Sequence, residues 1–262
     1  MSSRELGNFY GIGIGPGDPE LLTLKAIRIL REVDVVFVPK ADIKEESMAL
    51  RLWRTAMALE IARPLINRND KKVIEKVFPM IKDEDKLREF WLDAARAIKE
   101  ELVEGKDVAF LTIGDSLTFS TYIYLLSRLR DMIPEEKIHT IPGITSFNAA
   151  ASLVNLPLAQ RDERLAVIPV SDDVEKLRPI LEDFDTVVLM KVAKKLDKVI
   201  ALLEELGLAE TSVFASHVGL ENAYITHDLS KLKDSGKGYM SVIIVKNSRK
   251  QAWHDNTGSL EK

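Results

Sequence analysis

Apolar positions along the chain alternate between short strand-like runs and longer one-sided helical stripes, the pattern of an α/β protein with mostly parallel sheets. In the first half the strand-like runs cover residues 8–14, 34–38, 108–113 and 137–141. The second and third of these are nearly all apolar, as strands buried on both faces are. Leu21, Leu24, Ile27 and Leu30 recur at helical spacing and predict a helix over 21–30. Further helices are predicted over 47–59 with Ser47 as N-cap, over 84–103 with Gly105 just past its end, and over 121–130. Pro142-Gly143 then opens a turn into a small-residue helix carrying Ala149, Ala150 and Ala151.

Near residues 158–161 the rhythm starts again. Strands are predicted over 165–170, 186–190 and 211–216, with helices over 173–182 and 196–206 between them. Residues 221–227 and 239–245 flank the turn Asp234-Ser235-Gly236 and read as an antiparallel edge. The expected organisation is an N-terminal α/β domain over 1–158, a C-terminal α/β domain with a mixed sheet over 159–247, and a polar tail over 248–262. A ligand crevice is expected between the two domains.

Composition narrows the function. The chain has 262 residues, enough for one or two domains, and 46% of them are hydrophobic, so a sizeable core is within reach. Lys plus Arg number 37 against 41 for Asp plus Glu, a net charge of −4. An acidic chain lacks the broad positive field of non-specific nucleic-acid binding, and no nucleic-acid partner is expected. There is no cysteine. Thiolate nucleophiles, iron–sulfur clusters and cysteine-ligated zinc are therefore excluded, and a reducing cytoplasm is the expected location. No apolar stretch approaches the roughly 18 residues of a membrane span, and the first residues lack the apolar core of a signal peptide.

Gly11-Ile12-Gly13-Ile14-Gly15-Pro16-Gly17-Asp18-Pro19 invites comparison with a dinucleotide-binding turn, and fails it. Counted from Gly11, the sixth position of G-x-G-x-x-G is Pro16, which has no N–H to offer a pyrophosphate. Counted from Gly13 it is Asp18, an anion where the anion should bind. His139, His217, His227 and His254 show no metal-binding spacing, and no protein-bound metal is expected. More informative are three turns, each at the carboxyl end of a predicted strand. They are the Gly13 to Thr23 segment, Gly114-Asp115-Ser116, and Pro142-Gly143-Ile144-Thr145-Ser146. Strand carboxyl ends are where open α/β sheets bind ligands. Ala215-Ser216-His217 adds a fourth strand end from the second half.

In order and spacing these turns resemble the tetrapyrrole (corrin/porphyrin) methylase family over about residues 8–246. Within it the chain is most similar to the branch acting at C20 of precorrin-2 or cobalt-factor II in cobalamin synthesis. Branch-level features are Gly114 through Tyr122, Pro142 through Phe147, and Asp162-Glu163-Arg164-Leu165. Two positions depart from the family pattern. Ser116 stands where Pro is usual, and Phe119 stands where Tyr is usual, so no role for a phenol there carries over.

The resemblance implies methyl transfer from S-adenosylmethionine, with S-adenosylhomocysteine as product, to a polycarboxylate tetrapyrrole. By motif match it assigns cofactor contact to Pro16, Gly114, Asp115, Thr118, Ser146 and Phe147, and less directly to Met190, Ser216 and Met240. Asp115 and Ser146 also fit simpler roles, as an Asx-turn residue and as a helix cap. Asp115, Tyr122 and His217 are the candidate bases. Between Lys40 and Lys76 nine basic residues face six acidic ones, an excess of +3 in an acidic chain. This makes Arg51, Arg54, Arg63 and Arg68 candidates for the substrate carboxylates, although a solvated helix face with ordinary ion pairs explains the same count. Arg161 and Arg164 are further candidates. The family implies a homodimer. Alternative readings are another tetrapyrrole methylase, a diphthine synthase, or a non-catalytic tetrapyrrole-binding module.

Overall fold

The computed structural model describes residues 5–40, 71–79, 83–233, 235 and 238–247. The helix expected over 47–59 and the tail over 248–262 lie outside the described residues. The chain divides into two compact units, Met1–Thr145 and Ser146–Lys262. The division falls one helix ahead of the expected boundary at 158/159. The Ala-rich helix Ser146–Leu153 packs against a strand of the second unit.

In the first unit β1 (Phe9–Gly13), β2 (Val35–Lys40), β3 (Lys72–Val77), β4 (Val108–Thr112) and β5 (Ile138–Ile141) form a wholly parallel sheet in the order β3-β2-β4-β1-β5. Parallel neighbours need crossover connections, which among the described residues include α1 (Leu24–Glu32), α2 (Glu84–Val103) and α3 (Tyr122–Leu129). Helices α2 and α3 bury Ala94, Ile98, Leu102, Tyr122 and Leu125 against Phe9, Phe37 and Phe110 of the sheet. Asp83 caps α2 by accepting from the Lys86 N–H at 3.1 Å, and Gly105 follows its end with a left-handed φ of +79°.

Two expectations need correction here. The first helix starts at Leu24 rather than residue 21, because Pro19–Leu21 forms a separate 3-10 turn and Thr23 accepts from the Ala26 N–H at 3.1 Å as N-cap. The buried stripe is consequently Ala26, Ile29 and Leu30, while Leu24 is 86% exposed. Strand β3 was not expected at all. Its sequence, Lys-Val-Ile-Glu-Lys-Val, is half charged and sits at the sheet edge, where one strand partner and partial burial suffice.

In the second unit β6 (Leu165–Pro169), β7 (Thr186–Met190), β8 (Ser212–Ser216), β9 (Tyr224–Thr226) and β10 (Ser241–Lys246) form a mixed sheet in the order β6-β7-β10-β8-β9. Only β6 and β7 pair in parallel. The last two strands do not form the expected antiparallel edge together, since β8 lies between them. Every residue of β10 is buried, so it takes the central place between β7 and β8, and the short β9 takes the edge beside β8. Helices α4 (Ser146–Leu153), α5 (Arg178–Asp183) and α6 (Leu196–Glu205) complete the unit.

Candidate functional site

The strand order makes β4, β1 and β5 neighbours, so the three sequence-predicted turns leave adjacent strands at one end of the sheet. The turns are also bonded to one another. Beyond the strand ends, Gly15 and Gly114 exchange backbone hydrogen bonds of 3.2 and 2.7 Å. Gly143 approaches so closely that a Cβ on it would lie 2.2 Å from the Gly114 carbonyl oxygen, which only glycine tolerates. Gly114 itself has a φ of +74°, and among the described residues no atom lies within 4 Å of where its Cβ would point. A ligand can therefore lie directly on the backbone at this point.

Asp115 organises the turns. Its Oδ1 accepts from the Leu117 N–H and the Thr118 hydroxyl, each at 3.0 Å, an Asx-type turn. Its Oδ2 accepts from the Gly143 N–H at 3.1 Å, across to the turn after β5. Pro16 is buried beside the Gly15–Gly114 bridge in sequence, and Thr118 is half-buried. Asp18, the would-be anion at a dinucleotide turn, instead caps the 3-10 turn by accepting from the Glu20 N–H at 2.9 Å.

Tyr122 is corrected from candidate base to core residue. It is fully buried, its ring fills the space that the absent Cβ of Gly11 leaves, and its hydroxyl pairs with the Thr140 hydroxyl at 2.6 Å. Burial raises its phenol above the ordinary tyrosine value, against a smaller opposing effect of the Thr140 bond.

In the second unit the candidates also converge. Met190 and Ser216 end β7 and β8, and Met240 precedes β10, which runs the other way between them. Next to them three non-glycine residues hold left-handed backbone: Lys191 (φ +59°), His217 (+51°) and Met240 itself (+47°). Such conformations cost energy and concentrate at functional sites. The His217 N–H donates to the Met240 carbonyl at 3.0 Å, and its ring lies 6.1 Å from that of Tyr239. Ser146 opens α4, where Phe147 is buried. The sequence reading singled out neither this left-handed rim nor Tyr239, since backbone handedness leaves no mark on non-glycine residues.

Among the substrate candidates, Arg51, Arg54, Arg63 and Arg68 lie outside the described residues. Arg161 is exposed, with a left-handed φ of +47°. Arg164 is corrected: its guanidinium bonds the Asp183 carboxylate at 2.9 Å and lies 5.3 Å over the Phe184 ring. It precedes β6, at the opposite sheet end from Met190 and Ser216. Three bases counted in the charge excess also have protein partners. Lys71 bonds the Arg31 and Val33 carbonyls, Lys72 bonds Glu101, and Lys76 meets Asp93 at 2.7 Å. Among the described residues no group of three His, Asp or Glu side chains is placed to hold a metal ion, and no helix is long and apolar enough to cross a membrane.

Fold and turns together define an α/β protein with a candidate ligand cradle at strand carboxyl ends. The chain belongs to the tetrapyrrole (corrin/porphyrin) methylases, whose family model matches residues 8–233. It is 32% identical over 240 residues to a cobalt-precorrin-2 C(20)-methyltransferase of Salmonella typhimurium, covering 91% of this chain and 96% of that one. It is 31% identical over 254 residues to a precorrin-2 C(20)-methyltransferase of a Sinorhizobium species, covering 94% and 97%. Among solved structures, a cobalt precorrin-4 methyltransferase shares the fold with a TM-score of 0.67 at 21% identity, over 91% of this chain and 94% of that one. A uroporphyrin-III C-methyltransferase from Thermus thermophilus, solved with S-adenosylhomocysteine, does so with 0.58 at 23% identity, over 92% and 98%.

Proposed function

We propose that this chain transfers a methyl group from S-adenosylmethionine to C20 of precorrin-2 or of its cobalt-bearing counterpart, cobalt-factor II, in cobalamin biosynthesis. Both named C20 relatives align over nearly their whole length, which favours this reaction over other tetrapyrrole methylations, diphthine synthesis or mere binding. The observation that carries the reading is the bonding of three turns into one cradle with Gly114 open on its free side.

When bound, the cofactor supplies a methyl group already activated on a sulfonium. The chain's share is then positioning. Gly114 lets the cofactor approach backbone closely, Asp115 holds the cradle's shape, and Pro16 and Thr118 border it. The resemblance to the family also assigns cofactor contact to Ser146, Phe147, Met190, Ser216 and Met240 of the second unit. Backbone and uncharged side chains suit a donor whose positive charge fades in the transition state, because they do not over-stabilise the ground state. Methylation at a meso carbon releases a proton. Tyr122 is in the core and the Asp115 oxygens are engaged in the turns, which leaves His217 as the candidate base. Arg51, Arg54, Arg63, Arg68 and Arg161 are proposed to meet the substrate carboxylates. The reading includes a cytoplasmic homodimer.

Mass spectrometry after incubation with S-adenosylmethionine tests the proposal, with precorrin-2 and cobalt-factor II supplied in parallel. Gain of one methyl on one of the two supports it and identifies the substrate form. Gain on uroporphyrinogen III alone, or on none, contradicts it.

A further inference from the structure

Ser116 stands where the family usually has proline, and its place shows what a hydroxyl adds there. The side chain is fully buried, so it cannot touch cofactor or substrate. Its Oγ lies 2.8 Å from the Ile141 carbonyl oxygen and 3.4 Å from that of Gly11. A hydroxyl has one proton to donate, and the shorter contact receives it. Ile141 is the last residue of β5, and Pro142 after it has no N–H. The Ile12–Ile141 pairing gives the Ile141 carbonyl its ladder bond from β1, and its second lone pair and the Gly143 N–H beyond it face the turn after β4. Ser116 donates to that carbonyl as a second donor, and Asp115 accepts from the Gly143 N–H. These consecutive residues clasp the end of β5 from the turn after β4. The Ser116 carbonyl in turn accepts from the Ser120 hydroxyl, which ties the clasp to the start of α3.

The clasp matters because clearances beneath it are small. Cβ atoms built on Gly13 and Gly143 would lie 2.7 and 2.2 Å from the Gly114 carbonyl oxygen. That carbonyl is thus wedged between two other turns, and a small drift of residues 114–116 moves the open face of Gly114 and the Asp115 carboxylate together. In a turn with proline at this position no side-chain donor reaches Ile141.

We propose that Ser116 is a positioning residue for methyl-donor binding, its buried hydroxyl setting the cradle geometry that Asp115 and Gly114 present. The inference rests on the reading of the three turns as the donor site. Calorimetric titration with S-adenosylhomocysteine tests it on the full chain and on two variants, Ser116→Ala and Thr140→Val. The second removes a different hydroxyl bond made on the same strand, between Thr140 and Tyr122, and so serves as a stability control. Ser116→Ala is expected to weaken binding about fivefold, the worth of one net hydrogen bond, and to raise KM for S-adenosylmethionine while kcat holds. Thr140→Val is expected to lower the melting temperature comparably and leave affinity within about twofold of the parent. Unchanged affinity in Ser116→Ala overturns the proposal, as does equal weakening in Thr140→Val. If the parent chain itself binds no S-adenosylhomocysteine, the donor-site reading fails, and that result is distinct from either variant outcome.

Discussion

Gly15 and Gly114 are bonded to each other in both directions, although the strands they follow run parallel. Each holds a left-handed φ, +76° and +74°, and this lets two parallel strands send their chains toward one another across the end of the sheet. The reciprocal bond joins the turn after β1 to the turn after β4, and the Asp115–Gly143 bond adds the turn after β5. What makes the site is therefore backbone geometry more than charged side chains.

Gly114→Ala separates fold from site. Alanine at a left-handed position costs about 1 kcal/mol, and the new methyl meets no atom of the described residues within 4 Å. The variant is expected to fold, with a melting temperature about 2–4 °C lower by calorimetry. S-adenosylhomocysteine affinity is expected to fall more than about tenfold, because the methyl occupies the open space assigned to the cofactor.

Tyr122→Phe removes a buried hydroxyl but no catalytic group. Stability is expected to drop by about 1 kcal/mol in urea denaturation, the worth of the bond to Thr140. Methyl-transfer kcat is expected to stay within about twofold of the parent. A loss of a hundredfold would return Tyr122 to the reaction.

Acid sensitivity should trace to Glu101. Burial works against its charge, but hydrogen bonds from Lys106 and Lys72 more than offset that and hold its carboxyl below the ordinary glutamate value. A depressed carboxyl contributes stability that is present above its unfolded value of about 4.3 and lost as pH falls through the folded one. Melting temperature should therefore fall as pH drops below the ordinary glutamate value, and Glu101→Gln should flatten that slope while lowering stability at pH 7.

The end of β10 carries an ion pair with both partners mostly buried, Lys246 with Glu163 at 3.0 Å, 9% and 13% exposed. Lys246→Ala leaves a carboxylate buried without its partner and is expected to cost about 3 kcal/mol. Replacing both residues by methionine is expected to cost less than that single change, measured by chemical denaturation.

The first unit was largely legible because its strands are apolar runs and its turns carry glycine and proline at positions that demand them. Gly114, Gly143 and Asp115 could be singled out before their contacts were known. Strand β3 was hidden by lysines that an edge position accommodates. The central place of β10 was hidden by order along the chain, since adjacency in sequence puts it at an antiparallel edge with β9 and burial of all six residues decides otherwise. The left-handed backbone of His217 and Met240 had no residue-type signal, and the Arg164–Asp183 pairing depended on a fold-level juxtaposition that spacing does not reveal. Side-chain chemistry announced the candidates, and topology decided which of them meet.

The most direct test of the account follows the methyl group itself. Donor labelled with ¹³C at the methyl carbon is incubated with the chain and the accepted tetrapyrrole, and the product is resolved by NMR. A single labelled methyl correlated with C20 is the predicted result. A label at any other ring position, or none on the macrocycle, would contradict the account.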